Sequence, residues 1–155
     1  TASWKQYELN ISGTLYWSVT FYRYYQNGNF IYRDDIYSNP VTYGTLNGEG
    51  LLVYPGVDFG LKTPVSSIRL ENIRDGQEDY EYLLLLEEGV NALAGFEGRG
   101  REVVNLFVES IMDVDGNYNR DHTVFDASQE GLFELVDAVY NDADAAKTIL
   151  EELLR

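Results

Sequence analysis

Gly50-Leu51-Leu52-Val53-Tyr54-Pro55-Gly56 sets a short apolar run between glycines, closed by Pro-Gly. That is the pattern of a strand buried on both faces. Upstream, Thr14 to Phe21 alternates, with Leu15, Trp17, Val19 and Phe21 on one side and Thr14, Tyr16, Ser18 and Thr20 on the other, as in a second strand. Strands of buried character need neighbours, and a two-stranded sheet is marginal in water. Either the intervening loop adds strands, or other parts of a parent protein complete the sheet. Exposed apolar edges then predict self-association or association with the missing segments.

Between the two strands, residues 22–48 concentrate tyrosine: Tyr22, Tyr24, Tyr25, Tyr32, Tyr37 and Tyr43, joined by Phe30. Asn27-Gly28, Asn39-Pro40, Tyr43-Gly44 and Asn47-Gly48 are turn signals within it. A loop this long is functional or disordered, and its aromatic content argues against disorder. Before the first strand, Trp4 to Leu9 reads as a helix end with Gly13 in the following turn.

Beyond Pro64 the periodicity turns helical. Ser66 or Ser67 can cap a helix carrying Ile68, Leu70 and Ile73, with an interruption at Gly76 and continuation from Tyr80 to Leu93. A helix around Val103 to Ile111 should start near Gly100 and stop at Asp115-Gly116. Asp126 and Gln129 form a capping-box pattern that opens another, and Ala143 to Leu154 supplies the last. The class is therefore α/β in its first part and helical in its second.

At 155 residues the chain is about one domain, too short for a complete (β/α)8 barrel, which takes about 250. Its 45% hydrophobic and 24% charged residues are those of a packed domain. The formal charge of −15 repels phosphate backbones and anionic lipid, so no nucleic acid and no membrane is expected as a partner. No apolar run approaches the ~20 residues of a membrane helix. With no cysteine and His122 as the lone histidine, thiolate sites, His-cluster metal sites and His-based triads are short of parts. No metal and no cofactor is expected. Asp113-Val114-Asp115-Gly116-Asn117-Tyr118-Asn119 approaches a calcium loop, but Tyr118 takes the place of the sharp-turn Gly and Val124 that of the bidentate Glu. Lack of cysteine leaves the compartment open, an extracellular or periplasmic parent included. Thr1-Ala2-Ser3-Trp4 has neither an initiator Met nor a signal pattern and reads as a cut inside a longer chain.

Three stretches form a series: Gly13-Thr14-Leu15-Tyr16-Trp17-Ser18-Val19, Gly48-Glu49-Gly50-Leu51-Leu52-Val53-Tyr54-Pro55-Gly56, and the long run from Ser67-Ile68-Arg69-Leu70-Glu71-Asn72-Ile73-Arg74-Asp75-Gly76 to Gln77-Glu78-Asp79-Tyr80-Glu81-Tyr82-Leu83. Together they resemble the C-terminal part of glycoside hydrolase family 123 relatives, the domain of unknown function family 4091. The resemblance runs from Trp4 to Glu88 and more loosely to Tyr140. It implies the C-terminal portion of a (β/α)8 barrel, its last strands and closing helix, in residues 1–93, followed by an α-helical extension in residues 94–155. It also implies the activity of retaining β-N-acetylgalactosaminidases. In these enzymes the substrate's acetamido group attacks the anomeric carbon, and an adjacent Asp-Glu pair orients that group and acts as general acid.

No such dipeptide stands at a strand end before Gly13, so the pair is expected outside this chain, which alone should be inactive. The parent's glycan substrate would meet this chain where barrel strands end. Trp17, Thr20 and Tyr22 follow the first strand, Tyr54 and Asp58 the second, and Arg69 opens the closing helix. Trp17, Tyr22, Tyr54 and Arg69 are the candidate substrate-binding residues, with rings to stack on a sugar face and polar tips to bond its hydroxyls. No catalytic residue is expected within the chain. The competing readings make Trp17 and Tyr54 core residues, pair Arg69 with Glu71 or another acid, and make the whole chain a non-catalytic carbohydrate-binding or structural module.

Overall fold

The computed structural model describes residues 2–44, 46–112, 117–119 and 121–155. Among the described residues ten elements follow one another: helix α1 (Ala2–Glu8), strands β1 (Arg23–Gln26), β2 (Asn29–Tyr32) and β3 (Val53–Tyr54), a 3-10 turn (Gly56–Phe59), strand β4 (Val65–Ser66), and helices α2 (Ile68–Ala92), α3 (Gly100–Ser110), α4 (His122–Asn141) and α5 (Ala143–Leu153). The chain divides into two compact units, Thr1–Ser12 with Gly76–Arg155, and Gly13–Asp75, the division falling inside α2.

The chain is mixed helix and sheet, and among the described residues its named strands form two antiparallel pairs, β1–β2 and β3–β4. A barrel segment is a parallel arrangement, and these pairs by themselves do not make one. Thr14 to Phe21 is no strand: its one ladder contact is an isolated antiparallel bridge from Thr20 to Leu51. Alternation alone does not make a strand without a partner for its backbone groups, and Leu15 is left 95% exposed. The expected buried run shrinks to β3, while Leu51 and Leu52 are buried just before it.

The tyrosine-rich loop contains the hairpin that its turn signals only hinted at. Asn27 and Gly28 both hold positive φ, 51° and 84°. That pairing is what a two-residue turn needs to match the twist of its strands, and it sets Tyr25 opposite Phe30.

In the helical unit, α1 ends in a Schellman arrangement: the Ile11 N–H bonds the Gln6 carbonyl at 2.8 Å and the Asn10 N–H bonds that of Tyr7 at 3.0 Å. Asn10, at φ 53°, takes the left-handed position expected near Gly13. The Arg101 guanidinium covers the same end, donating to the Tyr7 and Glu8 carbonyls at 2.8 and 3.0 Å. Ser67 caps α2, its hydroxyl accepting from the Leu70 N–H. Gly76 does not interrupt that helix. It is the point where α1 comes close, because a Cβ there would sit 3.2 Å from the Ser3 hydroxyl. α4 starts earlier than the Asp126 pattern indicated. Asp121 is its cap, accepting from Thr123 N at 3.0 Å, which puts His122 in the first turn and Asp126 in the helix. Trp4, Leu83, Leu86, Val104, Leu132 and Leu150 lie in one buried cluster that unites these helices. The expected stop at Asp115-Gly116 and most of the calcium-like stretch fall outside the described residues. Among the described residues no helix is long and apolar enough to cross a membrane.

Candidate functional site

Within Gly13–Asp75, the turn Asn47-Gly48-Glu49-Gly50 gathers two of the four candidates. It is pinned by Gly48 N–H to the Pro40 carbonyl at 2.8 Å and by the Thr42 hydroxyl to the Glu49 carbonyl at 2.7 Å. The Arg69 guanidinium donates to the Asn47 carbonyl at 2.7 Å and lies so close to Gly48 that a Cβ there would be 2.4 Å from Nη1. A Cβ on Gly50 would be 2.7 Å from the Trp17 ring. Both glycines hold φ above +70°. Here they meet a double demand, a left-handed backbone and a side chain laid directly on it. The indole Nε1 of Trp17 donates to the Glu49 carboxylate. Trp17 also touches the rings of Phe21 and Tyr43, with centroids 5.1 and 5.6 Å away, yet remains 49% exposed. Within this chain it is therefore half-exposed rather than buried.

Arg69 does not pair with Glu71. Arg74 takes that carboxylate at 2.6 Å, and Arg69 reaches back to the turn instead.

Tyr22 and Tyr54 form a second group. The Tyr22 hydroxyl donates to the Val53 carbonyl at 2.8 Å, and its ring meets Tyr32 edge-on with centroids 6.3 Å apart. Burial pushes the Tyr22 phenol above its ordinary range, and the neighbouring Tyr32 and Tyr54 add to the shift. Tyr54, half-buried, packs on Tyr37 at 5.7 Å, and Tyr37 on Phe59 at 4.6 Å. Thr20 stays on the bridge to Leu51, and Asp58 is exposed on the 3-10 turn. The candidates thus fall into two groups, one on the 47–50 turn and one around β3.

A phenol with a raised pKa stabilises the fold fully below its unfolded value, near 10. That contribution is lost as pH rises through the folded value. Tyr22→Phe is expected to remove a late-ionising step from an alkaline absorbance titration. It should also lower stability at neutral pH by about 1 kcal/mol through the lost bond to Val53. Tyr118 and Tyr140 are likewise raised by burial, so the wild-type minus variant difference isolates Tyr22. An unchanged alkaline limb would contradict the assignment.

Sequence reasoning missed Glu49 and Tyr43. The only sign of Glu49 was its place between two glycines, and Tyr43 was one of many loop tyrosines. What the turn assembles is a half-exposed indole, a carboxylate acceptor and a guanidinium fork. An apolar ring face and polar groups of both senses together suit a polyhydroxylated ring. Among the described residues no cluster of His or carboxylates could hold a metal ion.

The family model described as glycoside hydrolase 123, catalytic domain, matches residues 1–86. The match takes in α1, the whole Gly13–Asp75 unit and the first part of α2. No curated protein matches the chain. With more than half of its length inside that model, the chain belongs to the glycoside hydrolase 123 family.

Proposed function

We propose that this chain lines the substrate site of a glycoside hydrolase acting on β-linked N-acetylgalactosamine, with the catalytic Asp-Glu pair supplied from outside it. The observation that carries the reading is the exposed Trp17 indole, fixed by Glu49 over Gly50. The sequence contains no Asp-Glu dipeptide anywhere, in keeping with an acid and an acetamido-orienting group located elsewhere. In this reading residues 1–93 contribute the last strands and closing helix of a (β/α)8 barrel, and residues 94–155 a helical extension. The missing barrel segments, or a second copy, would cover its apolar edges. Trp17 stacks on the sugar ring, Glu49 and Arg69 bond its hydroxyls, and Tyr22 and Tyr54 form the neighbouring wall. A non-catalytic carbohydrate-binding module would use the same groups, and activity of the intact parent separates the two.

The chain alone should not turn over an aryl β-N-acetylgalactosaminide, because binding groups without a positioned acid cannot lower the barrier. It should bind methyl β-N-acetylgalactosaminide, and Trp17→Ala should weaken that binding by about fivefold, from the ~1 kcal/mol of one ring contact. Thermal melts on the same variant distinguish lost stacking from lost folding. Unchanged affinity in the folded variant would contradict the assignment, as would turnover abolished by mutating this chain's own carboxylates.

A further inference from the structure

We infer that the sugar site continues from Trp17 onto the β1–β2 hairpin as a run of aromatic rings, so that the ligand is a neutral oligosaccharide chain rather than a single sugar. This rests on the reading of Trp17 as a sugar-stacking residue. Trp17 meets Phe21 at 5.1 Å, Phe21 meets Phe30 at 5.8 Å, and Phe30 meets Tyr25 at 5.3 Å between centroids. Tyr43 flanks the first two rings, at 5.6 and 6.3 Å. Phe21 is the half-buried spine, while Phe30 and Tyr25 are 55% and 61% exposed. Tyr25 and Phe30 are direct cross-strand partners, so they stand on the same face of the hairpin, together with Arg23 and Tyr32. The Asn27-Gly28 turn holds that face in a fixed register.

Soluble proteins leave single apolar residues exposed without consequence, but a contiguous run marks a binding surface. The chemistry of this run selects the occupant. It is made of rings rather than aliphatic side chains, and the Tyr25 and Tyr43 phenols add polar edges. The rings stand tilted or edge-on to one another, at 57° to 86°, so the run offers ring faces and ring edges in turn to a chain of sugars, each with an apolar C–H face on one side and hydroxyls around its rim. Within Gly13–Asp75 five Lys and Arg stand against six Asp and Glu, so this unit offers no excess of cations to hold sulfated or uronate-rich chains, and neutral ones are favoured.

Calorimetric titration of the full chain with methyl β-N-acetylgalactosaminide, and with a neutral linear tetrasaccharide carrying that residue at its non-reducing end, tests the inference. The tetrasaccharide should bind about tenfold or more tighter, from two further ring contacts. In the double variant Tyr25→Thr with Phe30→Val, whose β-branched residues retain strand preference, the ratio of the two affinities should fall to near one. Trp17→Ala should weaken both ligands. Equal affinities in the wild-type chain overturn the extended site and leave the Trp17 site standing. Affinities insensitive to Trp17→Ala overturn the site on which it rests, and failure of both sugars to bind overturns the two together. Concentration-dependent light scattering abolished by the hairpin variant would assign the face to a second copy instead, and would likewise overturn the inference.

Discussion

Trp4→Ala is expected to lower the stability of the helical unit by about 3–5 kcal/mol in urea denaturation, the range for a large aromatic removed from a core. Trp4 has no exposed surface, and its ring packs on Phe125 with centroids 5.3 Å apart. Its Nε1 also donates to the Asp79 carboxylate at 3.1 Å, and Gln129 donates to the same carboxylate at 2.6 Å. Asp79 is buried on α2, so truncation leaves a cavity and strips a buried carboxylate of one of its donors. Trp4→Phe should fall between wild type and alanine, because it restores most of the area and none of the hydrogen bond. A total stability of about 5–15 kcal/mol is usual, so a loss on the order of 4 would remove most of the stability of a domain at the low end of that range. A change under about 1 kcal/mol would mean that α1 is not held as described.

Gly56→Ala should be the most disruptive single methyl added to Gly13–Asp75. A Cβ on Gly56 would lie 1.8 Å from the Thr63 carbonyl oxygen and 2.9 Å from its carbon. Those are backbone atoms, so no rotamer change relieves the clash. The segment entering β4 or the 3-10 turn has to move. Overpacking of this kind costs about 1–3 kcal/mol or more. The displacement would reach Tyr54 and Phe59, which flank Gly56 and share contacts with Tyr37, so near-UV circular dichroism should change with stability. Gly13→Ala is the control, since nothing lies within 4 Å of its Cβ position and its φ is not positive. It should be neutral or stabilising by about 0.4–1 kcal/mol. Equal effects at the two positions would contradict the packing described at Gly56.

The sequence carried its helical half more clearly than its sheet half. Helix faces repeat over many residues, so the runs around Val103 and Leu132 announced α3 and α4 even though the Asp126 pattern misplaced the start of α4. Two carboxylates compete as caps there, and only the bond from Thr123 to Asp121 decides between them. Gly76 read as a breaker because the approach of Ser3 is not a local property. Strands depend on distant partners: Thr14–Phe21 had the right alternation and found one bridge, while Asn27-Gly28 carried a hairpin signal inside a segment too aromatic and too turn-rich to read as sheet.

Of the candidate site, the quoted words led to the family and to Trp17 and Arg69. The meeting of those two on one turn came only with the structure. Glu49, which ties the indole to that turn, has no periodic or compositional signature.

The chain contains two tryptophans, and both indole N–H groups are hydrogen-bonded to a carboxylate, Trp4 to buried Asp79 and Trp17 to Glu49. A two-dimensional ¹⁵N–¹H spectrum therefore offers a direct test with an internal control. Titration with methyl β-N-acetylgalactosaminide should move the Trp17 indole signal in a saturable way and leave that of Trp4 in place. A saturable shift confined to Trp4, or binding that leaves both signals still, would contradict a sugar site on Trp17.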